Sequence, residues 1–402
     1  MQSIKSLYKI GRGPSSSHTM GPFFAVNKIK KRFSKIKKVR VTLFNSLALT
    51  GEGHLTYKVI KDAFAPIIVS FVTKIDLEKH PNYMEFEIYN DNNLTKLIKV
   101  VSIGGGDIIF DDEAFTPNHI YPHRDFSEIK EYCLNKNISL YDYVKEVEGT
   151  SIDEYLKEVW EQIQKSIING LNAEGVLPGR LEVKRKAKEL FNNRMENESE
   201  AITEHRLVSA YAFAVSEENA AGGIVVTAPT CGAAGVLPAV LYYLKQSKNL
   251  NDEKIISALA VAGLIGNIIK ENATISGAVG GCQAEVGSAC SMAAAAHSVL
   301  FDNSIDQIEY AAEIAMEHHL GLTCDPIKGY VQIPCIERNA VAAIRAINAS
   351  GIAYFLSGSR KISFDMIVRT MYQTGLDMHP KYKETSEAGM AYFYKKYKKI
   401  EE

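Results

Sequence analysis

The sequence predicts an α+β protein in which a small N-terminal α/β domain precedes an all-α domain. Three observations carry this. Up to residue 115, helical spacings alternate with β-branched runs that read as strands. The stretch TPNHIYPHRD (116–125) has two prolines and no periodicity, and reads as a connection. From Phe126 almost to the end the pattern is helical, and beyond residue 200 it is rich in Ala and Gly, small residues that let helices approach closely. The expected division is 1–115, a linker with connecting helices at 116–150, and an all-helical domain at 151–402.

The elements follow in order. Thr19 to Ser34 carries Phe23, Val26, Ile29 and Phe33 at close to helical spacing. KVRVTLFNSLAL (38–49) alternates like a strand, with Val39, Val41 and Leu43 on one side, and a helix follows His54. PIIVSFV (66–72), YMEFEIYN (83–90) and KLIKVVSIG (96–104) are further strands. Ser151-x-x-Glu154 resembles a capping box opening a helix that runs to about Asn169, and Gly175, Pro178 and Gly179 mark a break. IISALAVAGLIGNII (255–269) reads as a helix buried on all sides, shorter than the roughly 20 residues a bilayer crossing needs.

Composition narrows the class of function. The chain has 402 residues, 46% of them hydrophobic and 23% charged, with a net charge of -1. That balance calls for neither nucleic acid nor an acidic membrane as partner. The cluster Lys28, Lys30, Lys31, Arg32, Lys35, Lys37 and Lys38 reads as a solvated helix face. The start, MQSIKSLYKIGRGP, has no apolar core of a signal peptide, so a soluble cytoplasmic protein is expected.

Six cysteines are too sparse for a disulfide scaffold. Cys290, in SACSMAAAA, and Cys133, in EIKEYCLNK, read as helix core, and Cys231 lies in a glycine-rich turn. Cys282 (GGCQAEVG), Cys324 (TCDP) and Cys335 (PCIERN) instead sit beside Gly, Pro or Asp, and no C-x-x-C occurs. Three thiolates from separate loops suit a [4Fe–4S] cluster with one iron free of cysteine, an open Lewis acid. Spacing alone favours the plainer reading, three buried structural cysteines.

Near the N-terminus, GRGPSSSHTMGP sets Ser15, Ser16, Ser17, His18 and Thr19 before a helix, either an anion site or an over-provided N-cap. TGEGHLTYK offers His54, an acid–base candidate or simply an exposed loop histidine. SIGGGD (102–107) is either a phosphate-binding turn or a tight strand end.

With these motifs the sequence resembles the single-chain, iron–sulfur-dependent L-serine dehydratases nearly end to end. GPSSSHTMGP, TGEGH, SIGGG, EGVLPG, ENAAGG, TAPTCGAAG, ATISGAVGGCQAEVGSACSMAAA, MEHHLGLTCDP, QIPCIERNA and DMHPKYKETS match family signatures in family order. The resemblance implies a regulatory-like, substrate-binding N-terminal domain and a homodimer. It places the cluster ligands on Cys282, Cys324 and Cys335 and the family histidines on His18 and His54. Three positions depart from the family pattern: Ala278-Val279-Gly280 replaces a stretch that often contains Glu, Tyr57 stands where Asp is common, and the tail YFYKKYKKIEE has no cysteine.

The implied reaction is L-serine to pyruvate and ammonia without pyridoxal phosphate. His54 is the first candidate for the base and His18 the second. Ser15, Ser16, Ser17 and Thr19 are expected to hold the carboxylate, with Lys270, Asn272, Ser276 and Lys381 as further substrate contacts. Arg338 and Asn339 are expected to support the ligands. The rival readings are a pyridoxal-phosphate lyase with Gly104–Gly106 cradling phosphate, a serine sensor or structural metal protein with His318 or His319 completing a zinc site, and a cluster-dependent cysteine desulfidase.

Overall fold

The computed structural model describes residues 1–33, 35–90, 93–113 and 118–401; the 115 boundary and the first two residues of the expected linker lie outside that set. The strands among the described residues are β1 (Ile10–Arg12), β2 (Lys38–Phe44), β3 (Ile68–Lys74), β4 (Tyr83–Asn90), β5 (Asn93–Gly104), β6 (Asp107–Phe110) and β7 (Ile224–Val226). Strands β2 to β6 form a sheet in the order β3-β2-β4-β5-β6, parallel between β2 and β3 and antiparallel elsewhere.

Period-two patterning builds this sheet. Val39, Val41 and Leu43 of β2 and Met84, Phe86 and Ile88 of β4 are all buried. They share one core with Val26 and Ile29 of helix Gly21–Arg32 and with Ile60 and Phe64 of helix Thr56–Phe64. The second strand ends sooner than its pattern predicts. At Asn45 the backbone turns to φ 46° and a short helix, Asn45–Thr50, begins. The Asn45 amide accounts for this turn: it donates to the Asp76 carbonyl (2.6 Å) and accepts from the Asp76 N–H (2.7 Å). On helix Gly21–Arg32, Lys28 and Arg32 pair with Glu113 and lie over the Phe110 ring, while Lys30 and Lys31 are exposed. Lys35, Lys37 and Lys38 are exposed beyond the helix end, Lys38 at the start of β2, so the basic cluster is not one helix face.

The second part is helical. Helices Ser151–Asn172, Glu200–Ala220, Val236–Lys248, Asp252–Asn272, Ser288–Leu300, Ile305–Glu317, Cys335–Leu356 and Phe364–Asp377 surround one large core. The stretch 255–269 is buried throughout except for Ser257. No helix among the described residues is long and apolar enough to cross a membrane. The expected box at Ser151 does not form: Thr150 is the N-cap without a side-chain bond, and the helix runs on to Asn172. True capping boxes stand instead at Ser139/Asp142 and Ser304/Gln307.

The first residues of the chain belong to the helical core. Met1, Ile4, Leu7, Tyr8 and Met20 pack there, apart from the sheet. Gly263 and Gly266 make this possible, because a β-carbon at either would meet Tyr8 or Leu7 at 2.9 and 2.6 Å. The Tyr8 hydroxyl donates to the Leu259 carbonyl (2.8 Å). β1 then pairs antiparallel with β7, register Ile10 to Val226. Three-residue strands carry no readable period, so neither was visible in the sequence.

The 104–106 glycines form the tight turn between β5 and β6, with φ of 105°, 58° and 84°. That turn packs on Ile275 and Ser276 of the helical part, as a tight strand end rather than a phosphate cradle. Beside it Asp107 is held by Lys9 and by Lys270 (2.7 Å), which ties sheet, N-terminal segment and helix Asp252–Asn272 together.

Candidate active site

Four backbone features bring distant residues to one pocket. Gly13 must be glycine, since a β-carbon would lie 2.1 Å from Asn219 Oδ1. The same Asn219 donates to the Pro14 carbonyl (2.8 Å), which fixes Ser15 and the turn of helix at Ser16–Met20. Gly281, at φ 75°, lets the chain turn between helix Gly277–Gly280 and Cys282, which leads into helix Ser288–Leu300. Cys335 opens helix Cys335–Leu356, where the dipole favours a thiolate. Cys324 lies in a loop bridged in parallel to Lys383, next to Glu384.

The resulting pocket is lined by Ser15, His54, Cys282, Cys324, Cys335, Glu285 and Glu384. All six cysteines are free thiols. The Cys282 thiol is pulled down to about 6, first by its hydrogen bond with Cys324 and then by the Arg338 guanidinium. The same bond and burial push Cys324 up, and burial pushes Cys335 up. Burial raises Glu285 to about 8, with the Cys282 charge adding to it. Burial also raises Glu384 well above the carboxylate range.

The histidines differ in what they leave free. His54 Nδ1 is 2.8 Å from Thr50 Oγ1, whose own proton goes to the Ser46 carbonyl (2.8 Å). The ring therefore donates at Nδ1 and keeps its lone pair at Nε2. His18 Nε2 is 2.9 Å from Ser46 Oγ, which donates to the Glu384 carbonyl (2.7 Å), so His18 is protonated at Nε2. Its Nδ1 accepts from Ser17 Oγ (2.8 Å). Both rings are buried, with centroids 4.4 Å apart. Burial lowers His54 to about 3 and His18 well below its ordinary value, so both are neutral near pH 7.

Some expected contacts lie elsewhere. Only Ser15 of the serine run lines the pocket; it caps the turn by accepting from His18 N–H (3.1 Å). Ser16 is buried outside the lining, Ser17 serves His18, and Thr19 Oγ1 donates to the His54 carbonyl (2.7 Å). Lys270 is committed to Asp107, Asn272 donates to the Arg124 carbonyl (2.7 Å), and Lys381 is exposed, so none of the three reaches the pocket. Ser276 is buried against Gly104 behind the pocket wall. Arg338 stands beside Cys282 and donates to the Thr323 carbonyl (2.9 Å), whereas Asn339 donates to the Cys335 carbonyl (2.8 Å). Cys290 donates to the Ala342 carbonyl within the helical core, and Cys231 is buried against Met20.

Sequence reasoning missed the two carboxylates. Glu285 had a signal: it is the sole Asp, Glu, Lys or Arg between Ala273 and Leu300. Glu384 had none, since it stands among charged neighbours in KYKETSE.

The donor set can be tested against metal groups. Among the described residues, His18, His54 and Glu384 bring three ligand atoms within 4.8 Å of one another. Cys282, Cys324 and Cys335 line one pocket, three soft thiol donors of the kind that hold iron–sulfur groups.

Comparison with known proteins places the site in context. Residues 78–391 match the family model of the serine dehydratase alpha chain, and residues 3–65 that of the serine dehydratase beta chain. The chain is 39% identical to an L-serine dehydratase of Haemophilus influenzae and 39% identical to L-serine dehydratase 1 of Escherichia coli, each over 97% of this chain and 99% of the relative. An L-serine dehydratase of Streptomyces coelicolor is 38% identical over 97% and 98%.

Proposed function

The chain belongs to the serine dehydratase family, and from that premise we propose that it converts L-serine to pyruvate and ammonia using a [4Fe–4S] cluster held by Cys282, Cys324 and Cys335. The observation that carries this reading is the meeting of three free thiols and the unengaged His54 Nε2 on one buried pocket. No fourth cysteine lines that pocket among the described residues, which leaves one iron without a thiolate. When bound, the cluster supplies a Lewis acid for the hydroxyl that must leave.

The chain's own residues supply the remainder. His54 Nε2, neutral and directed into the pocket, takes the α-proton. His18, with both nitrogens engaged, holds Ser17 and Ser46 in place rather than accepting that proton. Ser15 offers its hydroxyl to the substrate carboxylate. Arg338 stabilises the Cys282 thiolate, and Asn339 fixes the start of the Cys335 helix. Loss of the proton and the hydroxyl yields aminoacrylate, which becomes an imine and hydrolyses in water. We assign this activity to a cytoplasmic homodimer acting on a small molecule.

The test is anaerobic purification with iron and sulfide counts, an absorption spectrum and a pyruvate assay with L-serine. Broad absorbance near about 400 nm with pyruvate formation, both lost in air, is the expected result. Pyruvate formation by protein free of iron and sulfide overturns the cluster. Sulfide release from L-cysteine with no pyruvate from L-serine overturns the substrate.

A further inference from the structure

Glu384 is the carboxylate that this pocket leaves unmatched. It is 4% exposed, and its Oε2 has no hydrogen-bond partner among the described residues. Its Oε1 stands 3.5 Å from His18 Nδ1 and 3.6 Å from His54 Nε2. His54 Nε2 presents a lone pair, because its ring already donates from Nδ1, whereas the His18 Nδ1 lone pair is taken by Ser17 Oγ. Glu384 Oε2 and His54 Nε2 thus meet at the pocket with no donor from the described residues. Burying such a group is costly unless a guest brings donors and positive charge. The other carboxylate, Glu285, is already engaged, with Oε2 4.0 Å from Cys324 Sγ and its carboxyl packed against the Gly277 backbone.

An amino acid brings an ammonium group on the very carbon whose proton must be removed. Resting on the reading under Proposed function, we infer that Glu384 receives the α-ammonium of the substrate and so presents the adjacent C–H to His54. The distances agree with this role. An ammonium–carboxylate hydrogen bond of about 2.8 Å and an N–Cα bond of about 1.5 Å set Cα roughly 3.5 to 4 Å from the carboxylate oxygen. His54 Nε2 stands 3.6 Å from that same oxygen and therefore flanks the carbon. Glu384 is then the residue that selects 2-amino acids over 2-hydroxy acids.

The test compares L-serine with L-glycerate, which carries a hydroxyl in place of the ammonium, by equilibrium binding to the anaerobic holoenzyme. The wild type is expected to prefer L-serine by roughly ten- to hundred-fold, the range a charge-assisted hydrogen bond supports. Glu384→Gln is expected to weaken L-serine selectively and bring the two constants within about three-fold, with L-glycerate little changed. Glu384→Asp, which keeps the charge but shortens the reach, is expected to weaken L-serine in the same selective way and less severely. A preference that survives in Glu384→Gln, or an equal loss for both ligands in the two variants, overturns the inference and leaves the L-serine reading intact. A wild type that binds neither ligand overturns that reading itself.

Discussion

His54 Nδ1 lies 2.8 Å from Thr50 Oγ1, one helical turn away, and this single contact decides which nitrogen of the ring can act as a base. The Thr50 hydroxyl has spent its proton on the Ser46 carbonyl and can only accept from the ring. The lone pair therefore faces the pocket. His18, 4.4 Å away ring to ring, has its lone pair taken by Ser17.

His54→Asn is accordingly expected to lower kcat by roughly 10²- to 10⁴-fold, the usual contribution of a general base. Iron and sulfide content should match the wild type. Thr50→Val frees the ring to change tautomer, and an intermediate loss of about ten-fold or more is expected. Steady-state kinetics beside metal analysis checks both. Full activity in His54→Asn moves the role to another group.

The cysteines divide by environment. Cys282→Ala, Cys324→Ala and Cys335→Ala are each expected to lose bound iron and at least about a hundred-fold of activity, since even supporting residues of metal sites contribute 10- to 100-fold. Cys290→Ala, a change inside the helical core, is expected to cost roughly 1 kcal/mol of stability and leave iron binding intact. Iron retained by Cys324→Ala contradicts the assignment of that ligand.

The lysines of the sequence reading supply a third test. Lys270→Ala and Lys381→Ala are expected to keep kcat/KM within about three-fold, because neither side chain reaches the pocket. Asp107→Ala should do more harm than Lys270→Ala. It strands the Lys9 and Lys270 ammonium groups together, with side chains only 18% and 16% exposed. A loss of about 2 to 3 kcal/mol in denaturant unfolding is expected, below the full penalty for a buried broken pair because some solvent remains.

Acid should destabilise the protein through its buried histidines. His319 is 5% exposed, its Nδ1 bonded to the Ala315 carbonyl (2.7 Å), and burial holds it at about 4 instead of 6.5. As pH falls below 6.5 the unfolded chain takes up a proton that the folded chain refuses until about 4, so stability is lost across that window. Over the whole window the contribution is about 3 kcal/mol. Thermal unfolding at about pH 7 and about pH 5 checks it: the fall in the midpoint should be smaller in His319→Gln than in the wild type. Equal falls in both contradict the assignment.

Much of the architecture was legible in the residues. Helical spacing found Gly21–Arg32, and alternation found the buried faces of β2 and β4, since burial on one face leaves a period in the sequence. β6 was not found as a strand of its own, because four residues pack into a hairpin whose turn is defined by positive φ at three glycines rather than by a hydrophobic pattern. The Ser151 box failed for a related reason. Ser151 and Glu154 have the right identities and spacing, but the chain enters the helix one residue earlier.

By itself the sequence determined the α+β order, the family, and the three cysteines and His54 that line the pocket, with His18 packed against His54. Residue type and motif spacing are local, and local facts survive in one dimension. Tertiary structure alone decided which of the expected polar residues reach that pocket. It sent Lys270 to Asp107 and Thr19 to the His54 carbonyl, and it brought Glu384 beside both histidines. It also set the tautomer of His54 through Thr50 and Ser46. A buried polar group takes the partner that the packed fold puts within about 3 Å, and a separation of hundreds of residues along the chain carries no record of that choice.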